Sequence, residues 1–398
     1  MHTAKQMPLA GRRICMVYEF GLTHATRLLA AISALEESGA SVQIVTTHCN
    51  DAPEGIVVTS TIPSIPASEH PLRPLRIASN LMRNSFRPSV QYVADRFNRP
   101  RILREIARNV DAFWVIDSPA LPDVMKAAST HQTAVIYETI DLVPESEHRR
   151  GRVSRTKMLS AEGRYICDVD GFITAGDTYA DYFVEQYGAT LHHRPVVVDN
   201  MPGTIVEAAR PTARPLRLLF MGNLGRPRPI YELIQAMAVA KSKSTLTFIG
   251  ASSLGDGPEQ AIAAAGLTER VSVLPACGPE DTVRVASQYD FGVVALRGSN
   301  DNECRATPAK LCTYMAAGLA IIGSDLPGIA RIVAENSNGI LVDRMEPGAW
   351  AEVFDACAEL PLYEIDAMRA HSLEGALKRR RDLQMRSFIA EFEQALAR

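Results

Sequence analysis

Short apolar runs alternate with helical stretches twice over along this chain, and few architectures accept such a pattern. ICMVY (14–18) has the length and continuity of a buried strand. Residues 23–38 then set Leu28, Leu29, Ile32 and Leu35 on one helix face, with Thr23 as a candidate N-cap and Gly39 as a stop. VQIVTT (42–47) is the next strand. This β-α-β start indicates a parallel sheet, whose neighbouring strands need crossover helices. FWVID (113–117), AVIYE (134–138), GFIT (171–174) and PVVV (195–198) continue the series. Segment 199–215 carries Pro202, Pro211 and Pro215 and no long apolar run, and reads as an interdomain linker. Beyond it come strands LRLLF (216–220), LTFIG (246–250), VSVL (271–274), FGVVAL (291–296), AIIG (320–323) and GILV (339–342). Helical stretches fall near 230–241, 258–265, 280–288 and 308–317. The end, EGALKRRRDLQMRSFIAEFEQALAR, reads as one helix bearing Leu383, Phe388, Phe392 and Leu396. The expectation is two doubly wound α/β domains, over 1–200 and 201–375, and a terminal helix over 376–398 packing back on the first. Ligands of such sheets sit at the C-terminal ends of the strands, and a cleft between two domains is their natural place.

Composition removes several classes. Of 398 residues, 46% are hydrophobic and 22% charged, as in a soluble globular protein rather than a disordered or collagen-like one. With 42 basic and 45 acidic residues the net charge is −3, which argues against a general nucleic-acid binder. No run of ~18 apolar residues is present to span a bilayer, and the first apolar run, Ile14 to Val17, is too short for a signal core. The seven cysteines are odd in number, scattered and without a CxxC, as expected of reduced thiols in a cytosolic protein.

Two segments have the chemistry of anion sites. In RATPAKLCTYMAAGLAIIGSDLPG (305–328), Thr307 suits an N-cap and Pro308 a first helical position. A helix starting there aims free N–H groups and the positive end of its dipole at whatever precedes it. Lys310 in the first turn opposes that dipole unless an anionic ligand offsets both. The plainer alternative is a capped helix with a solvated lysine. In MGNLGRPRPIYELI (221–234), Gly222 and Gly225 permit close backbone approach, Asn223 shares the loop, and Arg226 and Arg228 can clamp phosphate oxygens. The string is not GxGxxG, so a dinucleotide has little support, and a turn with solvated arginines is the alternative.

Together, FMGNLGRPRPIYELIQAM and TPAKLCTYMAAGLAIIGSDLPG resemble the C-terminal domain of GT-B glycosyltransferases, closest to the retaining, nucleotide-sugar-using family 4-like group. LTFIGASSLGDGP (246–258), VSVLPACGPEDTVRVASQYDFGVVAL (271–296) and NGILVDRMEP (338–347) agree with it. So, more loosely, do ESGASVQIVTT (37–47), VIYETIDLVPES (135–146), DVDGFITAGDTYADYFVEQYG (168–188) and VVVDN (196–200). The resemblance implies an α/β fold of the GT-B type, two doubly wound Rossmann-like domains facing across a cleft, with a C-terminal helix. It implies a hexosyltransferase-like, retaining activity with a nucleoside-diphosphate sugar as co-substrate, and no cofactor or metal. By motif position, Arg228 and Lys310 would hold the diphosphate and stabilise negative charge on the leaving nucleotide.

The chain departs from that pattern at informative places. Relatives often carry two glutamates, one for the donor sugar and one for the ribose; the matching positions here are Arg305 and Thr313. Thr313 can still hydrogen-bond a hydroxyl, whereas Arg305 accepts no hydrogen bond and suits phosphate or an acidic sugar instead. Glu303, two residues earlier, is a candidate substitute. In the first domain a Tyr-Asp-x-His-Glu string becomes Tyr137-Glu138-Thr139-Ile140-Asp141, so Ile140 replaces the histidine. Glu138 or Asp141 is then a candidate to orient the acceptor hydroxyl, or else caps the following segment. Gly21, His24 and Arg27, after the first strand, are further acceptor candidates.

Asp168-Val169-Asp170 is a DxD string, yet it precedes a strand in a GT-B-like position, so a metal role is not expected. His192-His193 lacks partners at metal-ligand spacing. Segment 72–108 holds nine arginines, two acids and interleaved apolar residues. That suits an anionic membrane surface, an acidic glycan or a diphosphate-lipid acceptor, or simply a solvated helical face. The expected setting is the cytoplasmic membrane face, with a glycan or lipid-linked acceptor in bacterial envelope or exopolysaccharide assembly. The rival readings are a non-catalytic GT-B-like subunit that binds a partner enzyme or glycan, and a nucleotide-sugar epimerase.

Overall fold

Residues 7–19, 26–46, 56–60, 98–146 and 154–398 are described in a computed structural model. They form two units, each built on an all-parallel sheet. The apolar runs become its strands, because a parallel strand covered by helices on both faces has no solvent side to keep polar.

The first unit comprises residues 1–174, 180–197 and 385–398. Its elements are β1 (Arg13–Tyr18), α1 (Thr26–Glu37), β2 (Ser41–Thr46), β3 (Val57–Ser60), β4 (Ala112–Ile116), α2 (Leu121–Ala128), β5 (Ala134–Thr139), α3 (Arg155–Tyr165) and β6 (Gly171–Thr174). The helix α4 (Asp177–Tyr187) and the short β7 (Val196–Val197) follow. The strand order is β3-β2-β1-β4-β5-β6-β7, reversing direction between β1 and β4. Gly39 does stop α1: its φ is +93° and its N–H closes on Glu36 O at 2.9 Å. Strand β3 escaped the sequence reading because VVTS is short and half polar.

The second unit comprises residues 175–179 and 198–384. It holds β8 (Arg217–Met221), α5 (Ile230–Val239), β9 (Thr245–Ile249), α6 (Gly257–Ala264), β10 (Val271–Leu274), α7 (Thr282–Ala286) and β11 (Phe291–Val294). Then come α8 (Asp301–Arg305), α9 (Ala309–Ala316), β12 (Ala320–Ser324), α10 (Pro327–Asn336), β13 (Gly339–Val342), α11 (Pro347–Glu359) and α12 (Leu362–Lys378). The order β10-β9-β8-β11-β12-β13 repeats that of the first sheet and reverses between β8 and β11. Strand periodicity splits β8 between two cores: Leu218 and Phe220 join Phe248, Trp350 and Phe354, while Leu219 and Met221 join Leu311, Tyr314 and Met315.

Two expectations are corrected. Segment 199–215 is not a free linker but lies along the second unit. Thr212 gives both its N–H and its hydroxyl to Asp366 (3.0 and 2.6 Å), and Arg210 reaches buried Asp290 at 2.6 Å. The fully buried Arg369 of α12 ties the same segment down through Arg210 O and Thr212 Oγ1. Nor is the chain end one helix. α12 stops at Lys378, and α13 (Arg381–Leu396) begins anew. Between them Arg379 bonds Asp199 at 2.7 Å and Glu335 at 2.8 Å, and those bonds fix the break. Residues 385–398 belong to the first unit, where Phe388 and Phe392 meet Trp114 edge-on at 5.3 and 6.0 Å. No helix among the described residues is long and apolar enough to cross a membrane. The six described cysteines are free thiols, and Cys49 lies outside the described residues.

Candidate functional site: a cationic pocket at the end of β8

β8 delivers the chain to Gly222, whose φ of +131° is open to glycine and strained for other residues. A Cβ there would come within 3.6 Å of Lys310 Cε and Nζ, and a Cβ on Gly250 would strike Gly222 O at 1.8 Å. The ends of β8 and β9 and the first turn of α9 therefore converge at backbone distance. Tyr314 sets the spacing: its hydroxyl accepts the Met221 N–H at 2.7 Å, and its ring packs on Gly292 of β11, where any Cβ would clash.

Within this frame Lys310 is half-buried, its ammonium 3.5 Å from the centre of the Phe220 ring. It makes no hydrogen bond or ion pair among the described residues. Burial, and then the nearby Arg228 charge, hold its pKa well below the ordinary 10.5. Arg228 donates to Glu303 at 3.4 Å, and Glu303 also accepts the Ser299 N–H at 2.9 Å. Asn300 caps α8, accepting the Glu303 N–H at 2.9 Å, so the carboxylate is fixed at the pocket rim. Arg226 and Asn223 are exposed in the same loop.

Thr307 is corrected: it does not cap α9. Pro308 occupies that position and offers no side-chain oxygen, while Thr307 is buried beside Gly176. The helix start is thus left without a competing side-chain cap. Thr313 returns its hydroxyl to Ala309 O at 3.0 Å, a bond internal to α9. α8, bearing Glu303 and Arg305, is buttressed by Thr178, which donates to Arg305 O, and by Tyr179, whose hydroxyl meets Asn302 Oδ1 at 2.7 Å. Phe220, Tyr314 and Tyr179 were not singled out from sequence. Their signal is faint, since each looks like an ordinary core aromatic.

The first unit presents its own constellation at the ends of β4 and β5. Glu138 is fully buried, takes the Trp114 Nε1–H at 2.7 Å, and pairs with the buried Arg27 of α1. Both side chains are held in the interior, which corrects the expectation that they face an acceptor. Asp141 is half-buried, and its backbone N–H and that of Ile140 are accepted by Asp117 at 3.2 and 3.0 Å. Asp117 holds a positive φ of 61° to do this. Below lies a carboxylate missed from sequence: Glu162, buried, accepting Tyr137 at 2.7 Å and Tyr187 at 3.4 Å. Burial raises its pKa to about 7. Gly21, His24 and residues 72–97 lie outside the described residues; of the arginines beyond them, Arg99 is buried against Glu19 and Asp123. Asp170 of the DxD string accepts the Val135 N–H at 2.8 Å, and His193 pairs with Glu391 at 3.3 Å. Among the described residues no three His, Cys, Asp or Glu side chains gather as a metal site.

Two cations at an uncapped helix start, with glycine backbone beside them, suit a bound diphosphate. The family comparison falls on this pocket: residues 215–359 match the family model for glycosyl transferases group 1. The match lies within the second unit and leaves the first unit outside it. A D-inositol 3-phosphate glycosyltransferase of Xylanimonas cellulosilytica is 26% identical over 236 residues, 54% of each chain. The match thus spans about half the length of that curated relative. Among solved structures, a glycosyltransferase of Rickettsia africae has a TM-score of 0.67 at 12% identity, covering 97% of this chain and 98% of its own. HepE of Anabaena, solved with UDP and glucose, has a TM-score of 0.67 at 15% identity, covering 96% of this chain and 99% of its own. These likenesses establish the fold, which is GT-B.

Proposed function

We propose that this chain is a glycosyltransferase that takes a nucleoside-diphosphate sugar at the second unit and passes the sugar to a glycan or lipid-linked acceptor. The observation that carries the reading is Lys310: a half-buried ammonium on the Phe220 ring, repelled by Arg228, with no carboxylate partner among the described residues. A diphosphate supplies the missing charge. As the sugar–phosphate bond lengthens, negative charge grows on the leaving nucleotide, and Lys310, Arg228 and the start of α9 stabilise it there. The match of residues 215–359 to glycosyl transferases group 1 and the UDP of the HepE structure support the donor class. Arg226, Asn223 and Gly222 line the approach, Thr313 and Glu303 are the groups for hydroxyls, and Arg305 suits an acidic or phosphorylated portion of the donor. Asp141 is the acceptor-side group. Retention of anomeric configuration, independence from metal, and work at the cytoplasmic membrane face in envelope or exopolysaccharide assembly complete the proposal, on the strength of the family resemblance.

The test is product analysis with nucleotide sugars and cell-envelope glycan acceptors. Acceptor-dependent nucleotide release by wild type, lost by at least 100-fold in Lys310→Ala, is the expected result. Release that needs no acceptor, or an epimerised donor, would contradict it. A non-catalytic subunit is the second reading, favoured by Arg305 and by the Thr313 hydroxyl turned back to Ala309 O. It binds a partner enzyme or a glycan and predicts no transfer to any acceptor.

A further inference from the structure

On the first unit, α2 and α3 pack together and leave an open depression of about 580 Å³ between them. Its walls include Lys126 from α2, Lys157 and Arg164 from α3, and the hydroxyl residues Ser154, Thr156 and Ser160. Residues 157, 160 and 164 follow helical spacing, so they form one stripe facing Lys126. α3 is a polar helix, burying only Met158 and Glu162.

The charges are unbalanced in a particular way. Several described arginines of this unit have carboxylate partners, among them Arg155 with Glu145 at 2.7 Å, Arg99 with Asp123 at 2.9 Å and Arg194 with Asp181 at 2.9 Å. Lys126, Lys157 and Arg164 have none among the described residues; Arg164 rests only against the Tyr165 ring, at 5.5 Å. Lys157 also lies in the first turn of α3, where no acidic residue offsets the unfavourable dipole. Three unneutralised cations with hydroxyl donors around one depression, in a chain of net charge −3, are an arrangement for a multivalent anion.

We propose that this depression binds a phosphate- or pyrophosphate-bearing soluble ligand, separately from the donor pocket at β8. A soluble source is favoured over a membrane headgroup because none of the exposed large apolar side chains lies among the residues lining the depression. No described side chain there would insert into a bilayer.

The test uses the full chain carrying Lys310→Ala, which removes the central cation of the β8 pocket, and inorganic pyrophosphate titrated calorimetrically at low salt. Measurable binding is expected, weakened at least tenfold when Lys157→Gln and Arg164→Gln are added. Both side chains are exposed, so the unliganded melting temperature should stay put and exclude misfolding. No pyrophosphate binding in the Lys310→Ala chain, or binding indifferent to the two glutamines, overturns the proposal. A sedimentation arm with phosphatidylglycerol and phosphatidylcholine vesicles distinguishes the sources. Vesicle binding governed by Lys157 and Arg164, with pyrophosphate affinity unmoved, overturns it equally. Donor binding by wild type is read with nucleotide sugars, so the two proposals can fail independently.

Discussion

In the proposed function, Lys310 concentrates the chemistry of the second unit in one ammonium. In the free chain, burial and Arg228 favour its neutral form. A bound diphosphate favours the charged form, so binding draws a proton as pH rises. Affinity for a nucleoside diphosphate should therefore fall with rising pH, beginning well below the ordinary lysine value of 10.5. Lys310→Arg, always charged, should flatten that dependence in calorimetric titrations at several pH values; an unchanged slope would place the titrating group elsewhere. Glu162 makes a stability prediction. Its folded pKa of about 7 lies above the ordinary 4.5, so the folded chain holds the proton longer than the unfolded one. Its contribution is intact below about 4.5 and is lost as pH rises to about 7, a penalty of about 3 kcal/mol above that. Glu162→Gln should match wild type near pH 4.5 and exceed it in urea stability at pH 8. A variant less stable at pH 8 would mean that the carboxylate is stabilising when charged.

At the scale of elements, the pocket depends on how α9 seats against β8. Tyr314→Phe removes the acceptor of the buried Met221 N–H and should cost about 1–3 kcal/mol in urea unfolding. It should also weaken diphosphate affinity, because the same contact spaces Lys310 from Gly222. A stability loss with affinity unchanged would show that Lys310 is placed independently of Tyr314. This level was also the most legible in the sequence. Strands such as 14–18 and 291–294 were plain because buried parallel strands are unbroken apolar runs. The loop glycines, Arg228 and Lys310 stood out because helix starts and close backbone approach restrict residue type. What stayed hidden depends on partners distant in sequence. Thr307 has the composition of a cap, yet Pro308 takes the position and Thr307 packs by Gly176. Glu138 resembles a site carboxylate until Trp114 and Arg27 close over it. The break at 379–380 comes from Asp199 and Glu335, which no local pattern reveals.

Across the whole molecule, the first unit is completed by the last residues of the chain. Phe388 and Phe392 are fully buried near Trp114, and Glu391 accepts the Phe172 N–H at 2.7 Å. Phe388→Ala should destabilise that unit by about 3–5 kcal/mol, read as an early unfolding transition in tryptophan fluorescence, while the second unit melts as before. A single shared shift of both transitions would contradict that division. The central claim is that the β8 pocket is a nucleoside-diphosphate-sugar site centred on Lys310. Its most direct measurement is a thermal-shift panel of UDP-, GDP-, ADP- and dTDP-sugars on wild type and Lys310→Ala. A ligand at 100 times its Kd stabilises the folded state by about 2.7 kcal/mol. The expected result is a rise in Tm with one base, absent in Lys310→Ala. No shift with any nucleotide sugar at millimolar concentration, or the same shift in both proteins, would contradict it.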